Sequence, residues 1–119
     1  MDALIAWINP RCSKSRGLLQ LLEDRGQQAL QREYLSDPPS VAELERALVL
    51  LGESDPRVLI RKKESLYSEL SLDQAGRDKL LQALAEHPEL LERPILFTSE
   101  RAVIARPPER ALELLASGG

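Results

Sequence analysis

Apolar and polar positions alternate in different rhythms along the chain, and each rhythm predicts a different element. Leu4-Ile5-Ala6-Trp7-Ile8 is an unbroken apolar run, the pattern of a strand covered on both faces of a sheet. Asn9-Pro10 ends it, because proline has no N–H to give a ladder. Between Ser13 and Arg25 the leucines Leu18, Leu19, Leu21 and Leu22 form a helical stripe, and Gly26 stands where a left-handed cap is wanted. Gln28 to Leu35, whose large apolar residues before Leu35 are Leu30 and Tyr34, reads as an edge strand. Strand, helix and strand make a βαβ-like opening, for which a right-handed crossover is expected.

Ser36-Asp37-Pro38-Pro39 breaks this pattern, and helical spacing follows. Ser40 and Glu43 have the spacing of a capping box, and Val41, Leu44, Leu48 and Leu51 share a face up to Gly52. Asp55-Pro56 opens a short helix through Ile60, Tyr67 and Leu70 suggest another turn, and Gly76 to Glu86 predicts a further helix ending near His87-Pro88. Then the period changes again. Ile95 to Thr98 and Ala102 to Ala105 are short apolar runs around Ser99-Glu100-Arg101, a hairpin with no Gly or Asn to define its turn. Arg106-Pro107-Pro108-Glu109 starts a last helix, expected to dock through Leu112 and Leu115, while Ser117 to Gly119 is expected to fray. The layout resembles a thioredoxin fold interrupted in its middle. It predicts the α/β class and a mixed four-stranded sheet, β-α-β, helical insertion, β-β-α. The expected organisation is one domain over residues 1–119 with a helical insertion at 37–89.

Composition narrows the function classes. Of 119 residues, 43% are hydrophobic and 29% charged, which suits a packed core with a solvated shell. Sixteen Lys and Arg against nineteen Asp and Glu give a net charge of −3, which argues against wholesale nucleic-acid binding. The apolar runs are too short to span a bilayer, and Met1-Asp2-Ala3 lacks the basic start of a signal peptide. One cysteine and one histidine exclude an internal disulfide and a Cys-rich metal centre. A cytoplasmic monomer without bound metal or cofactor is expected.

That cysteine sits in Asn9-Pro10-Arg11-Cys12-Ser13-Lys14-Ser15-Arg16, between the first strand and the first helix. A lone cysteine can be an inert apolar residue. A helix N-terminus, however, directs backbone N–H groups and positive potential outward, which stabilises a thiolate and collects anions. Arg11, Lys14 and Arg16 add cations, and Ser13 and Ser15 add hydroxyls. An ordinary thiol near ~8.5 is only a few per cent ionised at neutral pH, so a depression of about two units would make thiolate the major form. Ser15 occupies the place where a dithiol motif carries its second cysteine, so any redox cycle needs an external thiol. Trp7 reads as core, Glu43 and Glu45 as a solvated helix face, and His87 as a surface group.

The stretch Asn9 to Arg16 resembles the N-P-x-C-x-x-S-R signature of the glutaredoxin-linked arsenate reductase family, in its short subgroup. Two later segments match in family order: Leu59-Ile60-Arg61-Lys62-Lys63 with Tyr67, and Glu92-Arg93-Pro94-Ile95 followed by Ala105-Arg106-Pro107-Pro108-Glu109. The resemblance implies a thioredoxin-like core with a helical insertion and a cysteine, Cys12, that attacks arsenate. By motif position Arg61, Arg93 and Arg106 would bind the oxyanion, with Asn9, Arg11, Ser13, Lys14 and Ser15 lending further contacts. Pro94 matches the proline that such folds hold in cis beside the cysteine. Glutathione would attack the arseno-cysteine adduct as co-substrate, and glutaredoxin would restore the thiol. Where many members carry a histidine before Asn-Pro this chain has Ile8, so thiol activation falls to the helix end and the basic residues. The other readings are a glutathione-dependent protein thiol reductase and an RNA-polymerase-binding regulator of the same fold, the latter opposed by Ser15.

Overall fold

The strand built from the first apolar run, β1 (Leu4–Ile8), lies inside a four-stranded sheet. The computed structural model describes residues 4–117; Met1 to Ala3 and Gly118-Gly119 lie outside them. On one side β1 pairs in parallel with β2 (Ala29–Glu33), with Leu4 opposite Ala29 and Ile8 opposite Glu33. On the other it pairs antiparallel with β3 (Ile95–Phe97), Ala6 facing Leu96, and β3 pairs antiparallel with β4 (Ala102–Ile104). The order is β2-β1-β3-β4, a mixed sheet with β2 at one edge, as its polar pattern predicts. Leu30, on that edge strand, is 69% exposed.

Two compact units divide the chain: residues up to Asp37 together with those from Arg93 onward, and Pro38–Glu92. The first unit holds the sheet. Side chains alternate across a strand, so Leu4, Ala6 and Ile8 share a face. They pack with Leu96, Val103, Ala105, Ala111 and Leu114, and with Leu18 and Leu22 of α1 (Ser13–Asp24). Trp7 lies on the other face, its ring centroid 4.6 Å from that of Phe97 and 5.6 Å from the Arg32 guanidinium carbon. Helix α1 ends as its pattern requires, with Gly26 at φ 69°. The hairpin turn that lacks Gly and Asn is built by Thr98, whose hydroxyl accepts the N–H groups of Glu100 and Arg101 at 3.2 and 3.0 Å.

The last helix docks in a different phase from the one its leucine spacing suggests. Pro108–Ala111 forms a 3-10 turn before α5 (Leu112–Ser117), and its three residues per turn reset the register. Ala111 and Leu114 are therefore the buried contacts, while Leu112 and Leu115 are half-buried.

The second unit is helical. Helix α2 (Val41–Leu51) opens on a complete capping box: the Ser40 hydroxyl accepts the Glu43 N–H at 3.1 Å, and the Glu43 carboxylate accepts the Ser40 N–H at 3.0 Å. It closes at Gly52, φ 74°. Its buried residues are Leu44, Ala47 and Leu48; Val41, in the first turn, stays exposed. A 3-10 turn over Pro56–Leu59 follows, then α3 (Ser65–Glu69) and α4 (Arg77–Glu86), which buries Leu80, Leu81 and Leu84. Arg57 Nη2 donates to the carbonyls of Leu72, Asp73 and Ala75 at 3.1, 3.2 and 2.8 Å, tying this unit together. No helix among the described residues is long and apolar enough to cross a membrane.

Candidate functional site

The first helix starts where the first strand stops, and Cys12 stands at the junction. It is the N-cap of α1, in extended conformation at φ −88°, ψ 128°. The loop leading to it is pinned at several points. Cys12 N–H donates to the Asn9 carbonyl at 2.9 Å, and Arg11 N–H donates to Asn9 Oδ1 at 3.1 Å. Asn9 N–H donates to the Ser15 hydroxyl at 3.1 Å, and Arg16 Nη1 donates to the Pro10 carbonyl at 3.2 Å. Ser15 is fully buried, so its oxygen braces the loop, while Arg11, Ser13 and Lys14 have exposed side chains. No acidic residue stands in the first turn of α1.

This setting determines the charge on sulfur. Partial burial pushes the Cys12 thiol up; the backbone N–H of Ser15, the Arg93 guanidinium and the backbone N–H of Lys14 together outweigh it and bring the pKa to about 7. The N–H groups are those that every helix start leaves without an internal partner, and a thiolate at the N-cap accepts from them. The single charged side chain in this set is Arg93, remote in sequence, rather than the local cations Arg11, Lys14 and Arg16. Ile8 lies in the apolar cluster beneath the loop, so position 8 brings no charge.

Arg93 and Arg106 are brought together from the two sides of the β3–β4 hairpin. Each precedes a proline across a cis peptide bond, Arg93–Pro94 and Arg106–Pro107. Arg106 Nη1 donates to the Arg93 carbonyl at 3.1 Å, and Ala105 N–H donates to the Pro94 carbonyl at 2.9 Å. The Arg93 guanidinium loses stability as a cation through burial, but hydrogen bonding to Cys12, and the proximity of Tyr34 and Cys12, more than restore it and raise its pKa. Its Nε–H is covered and finds no acceptor among the described residues. Arg61 belongs to the second unit, where its guanidinium is held by Glu64 and its N–H donates to the Leu90 carbonyl at 2.7 Å.

Two features escape a reading of the chain by pattern. Tyr34, which counts as an apolar residue of an edge strand, is 1% exposed and has its phenol beside Arg93. Its signal is weak: an aromatic residue with a polar tip at the very end of a strand otherwise exposed. The second is the cis proline Pro107; the one signal that could have found it is that Arg106-Pro107 repeats the Arg-Pro pair at 93–94. Among the described residues, no group of three or more His, Cys, Asp or Glu is arranged to hold a metal ion.

A thiolate at a helix start with a guanidinium from a distant loop suits nucleophilic attack on an anion; comparison with known proteins gives the family of the chain. Residues 7–114 match the ArsC family. A Neisseria meningitidis serogroup A protein named arsenate reductase is 48% identical over 103 residues, covering 85% of this chain and 88% of its own. An arsenate reductase of Haemophilus influenzae is 43% identical over 115 residues, 95% of this chain and 99% of its own. The solved structure of an arsenate reductase from Vibrio cholerae superposes with a TM-score of 0.90 at 45% identity, covering 94% of this chain and 97% of that one. With this match over nearly its whole length and the same mixed sheet, the chain belongs to the ArsC family and has its thioredoxin-like fold.

Proposed function

We propose that this chain is an arsenate reductase in which Cys12 is the nucleophile and glutathione and glutaredoxin supply the electrons. The observation that carries the reading is the Cys12 thiol, held near neutrality by two helix N–H groups and Arg93. Relatives named arsenate reductases at 43–48% identity support the substrate. The thiolate attacks arsenic, an oxygen leaves as water, and a thiol-bound As(V) adduct forms. Glutathione attacks the adduct, and a second thiol, from glutaredoxin, takes the glutathione sulfur into a disulfide. Two thiols thus give up two electrons and arsenic falls from As(V) to As(III) while still bonded to Cys12; water then cleaves the S–As bond, releasing arsenite and the free Cys12 thiol. Guanidinium groups suit the oxyanion because their planar fork donates two aligned hydrogen bonds. Arg93 and Arg106 fill this role from the hairpin loops, and Arg61, on motif position, is the third. Ser13, Lys14 and Asn9 line the anion's approach. The electron source fits a cytoplasmic monomer drawing on the glutathione pool.

Arsenate-dependent NADPH oxidation, coupled through glutathione reductase, glutathione and glutaredoxin, tests this. Cys12→Ser should fall to background, and Arg93→Ala or Arg106→Ala should lower kcat/KM by roughly 10²-fold, the usual effect of removing a charge-stabilising donor. Wild-type turnover no higher than that of Cys12→Ser would refute the assignment.

A further inference from the structure

We propose that the groove at the ends of β1 and β2 binds the thiol co-substrate, with Arg11 taking its glycine carboxylate and Glu33 its ammonium. The site rests on the reading above, in which glutathione is the reductant, and gives that reductant a place to dock. A cavity of about 440 Å³ opens there, lined by Asn9, Pro10 and Arg11 from the loop after β1 and by Glu33, Leu35 and Ser36 from the end of β2 and the turn after it. Small-ligand sites have volumes of roughly 300–1,000 Å³. β1 and β2 are parallel, so the groove lies outside their carboxyl ends, the place where α/β sheets take ligands.

The chain itself fixes the backbone on both sides. Arg11 N–H donates to Asn9 Oδ1 at 3.1 Å, and the Glu33 carbonyl accepts the N–H groups of Ser36 and Asp37 at 3.1 and 2.9 Å. The charged side chains are not held in this way. Arg11 and Glu33 are exposed, and neither forms an ion pair among the described residues. A cation and an anion lining one groove match a zwitterion better than a simple anion. Glutathione carries an ammonium and a carboxylate at its γ-glutamyl end and a second carboxylate on glycine. The glycine adjoins the thiol-bearing residue, and Arg11 directly precedes Cys12, so this pairing brings thiol and sulfur together. Leu35, 46% exposed, offers apolar surface to the methylenes of the γ-glutamyl arm. Arg93 and Arg106, assigned above to the oxyanion, flank the β3–β4 hairpin, and β1 separates β3 from β2 in the sheet. Oxyanion and thiol therefore approach Cys12 from opposite sides and draw on different groups.

Calorimetric titration of the full chain with S-methylglutathione, whose blocked sulfur cannot react, tests the site without arsenate. Arg11→Ala and Glu33→Gln, both at exposed positions, should each weaken binding about fivefold, below the effect of a buried charge-assisted bond because solvent screens both groups. The same ligand esterified at its glycine carboxylate should bind the wild type about fivefold more weakly. Arg11→Ala should weaken the ester no further, since both changes remove one contact. In the coupled assay each variant should raise KM for glutathione and leave KM for arsenate unchanged. Variants that bind as the wild type does, additive losses from Arg11→Ala and the ester, or no saturable binding at millimolar ligand would each overturn the proposal. A rise in KM for arsenate instead would give Arg11 to the oxyanion and overturn it too. Absence of arsenate turnover in a chain that binds S-methylglutathione through these residues would sink the substrate reading and leave the site standing.

Discussion

At the scale of single residues, the chemistry turns on where one proton sits. The unfolded thiol should titrate near ~8.5 and the folded one near 7, so over that interval the unfolded chain holds more of the proton. Stability contributed by Cys12 is therefore fully present above the unfolded value and is lost as pH falls through 7. Denaturant unfolding of wild type and Cys12→Ser should show the wild type gaining relative to the variant between about pH 6 and about pH 9.5, all other titrating groups being shared. A constant difference would mean that the sulfur is not preferentially ionised on folding. That Cys12 stands at a helix start was legible in the sequence, because it lies between an apolar strand run and an amphipathic helical stripe. Its charge partner was not. Arg11, Lys14 and Arg16 are the nearest cations in the chain, yet Arg93 acts on the sulfur from 81 residues away (93 − 12).

Elements were legible wherever their ends carry local chemistry. The Ser40–Glu43 box, Gly52 and Gly26 are short-range devices, and each is found where its sequence places it. Phase was harder to read. The 3-10 turn at Pro108–Ala111 rotates the last helix so that Ala111 and Leu114 are buried, and nothing in the leucine spacing encodes that rotation. The same turn approaches α1 closely. A Cβ added at Gly17 would lie 3.0 Å from Pro108 Cγ, so Gly17 is the residue that lets the turn come this near. Gly17→Val should destabilise the fold by about 1–3 kcal/mol, the usual cost of overpacking. Equilibrium unfolding measures it, and an unchanged midpoint would show that the turn can retreat freely.

Across the whole molecule, the cluster under the sheet is assembled from both ends of the chain. Leu4, Ala6, Ile8, Leu18 and Leu22 come from the first 22 residues, whereas Leu96, Val103, Ala105, Ala111 and Leu114 come from beyond Arg93. β3 joins the halves, pairing with β1 on one side and β4 on the other. Leu96→Ala should therefore cost about 2–5 kcal/mol, as for a fully buried leucine, and loosen the site it supports. Denaturant midpoints and the Cys12 titration, measured on the same variant, report the two effects. A loss under about 1 kcal/mol would mean that the cluster collapses around the deletion.

By itself the sequence determined the class of fold, the element order, the caps and the place of the cysteine at the start of the first helix, because these depend on apolar period, backbone freedom and contacts a few residues apart. Only the tertiary structure decided which arginine faces the sulfur, that Tyr34 is buried near that arginine, and which side of the last helix is buried. Those outcomes depend on which loops the paired strands bring side by side. Strand pairing is a property of the folded sheet, and no stretch of chain records it locally.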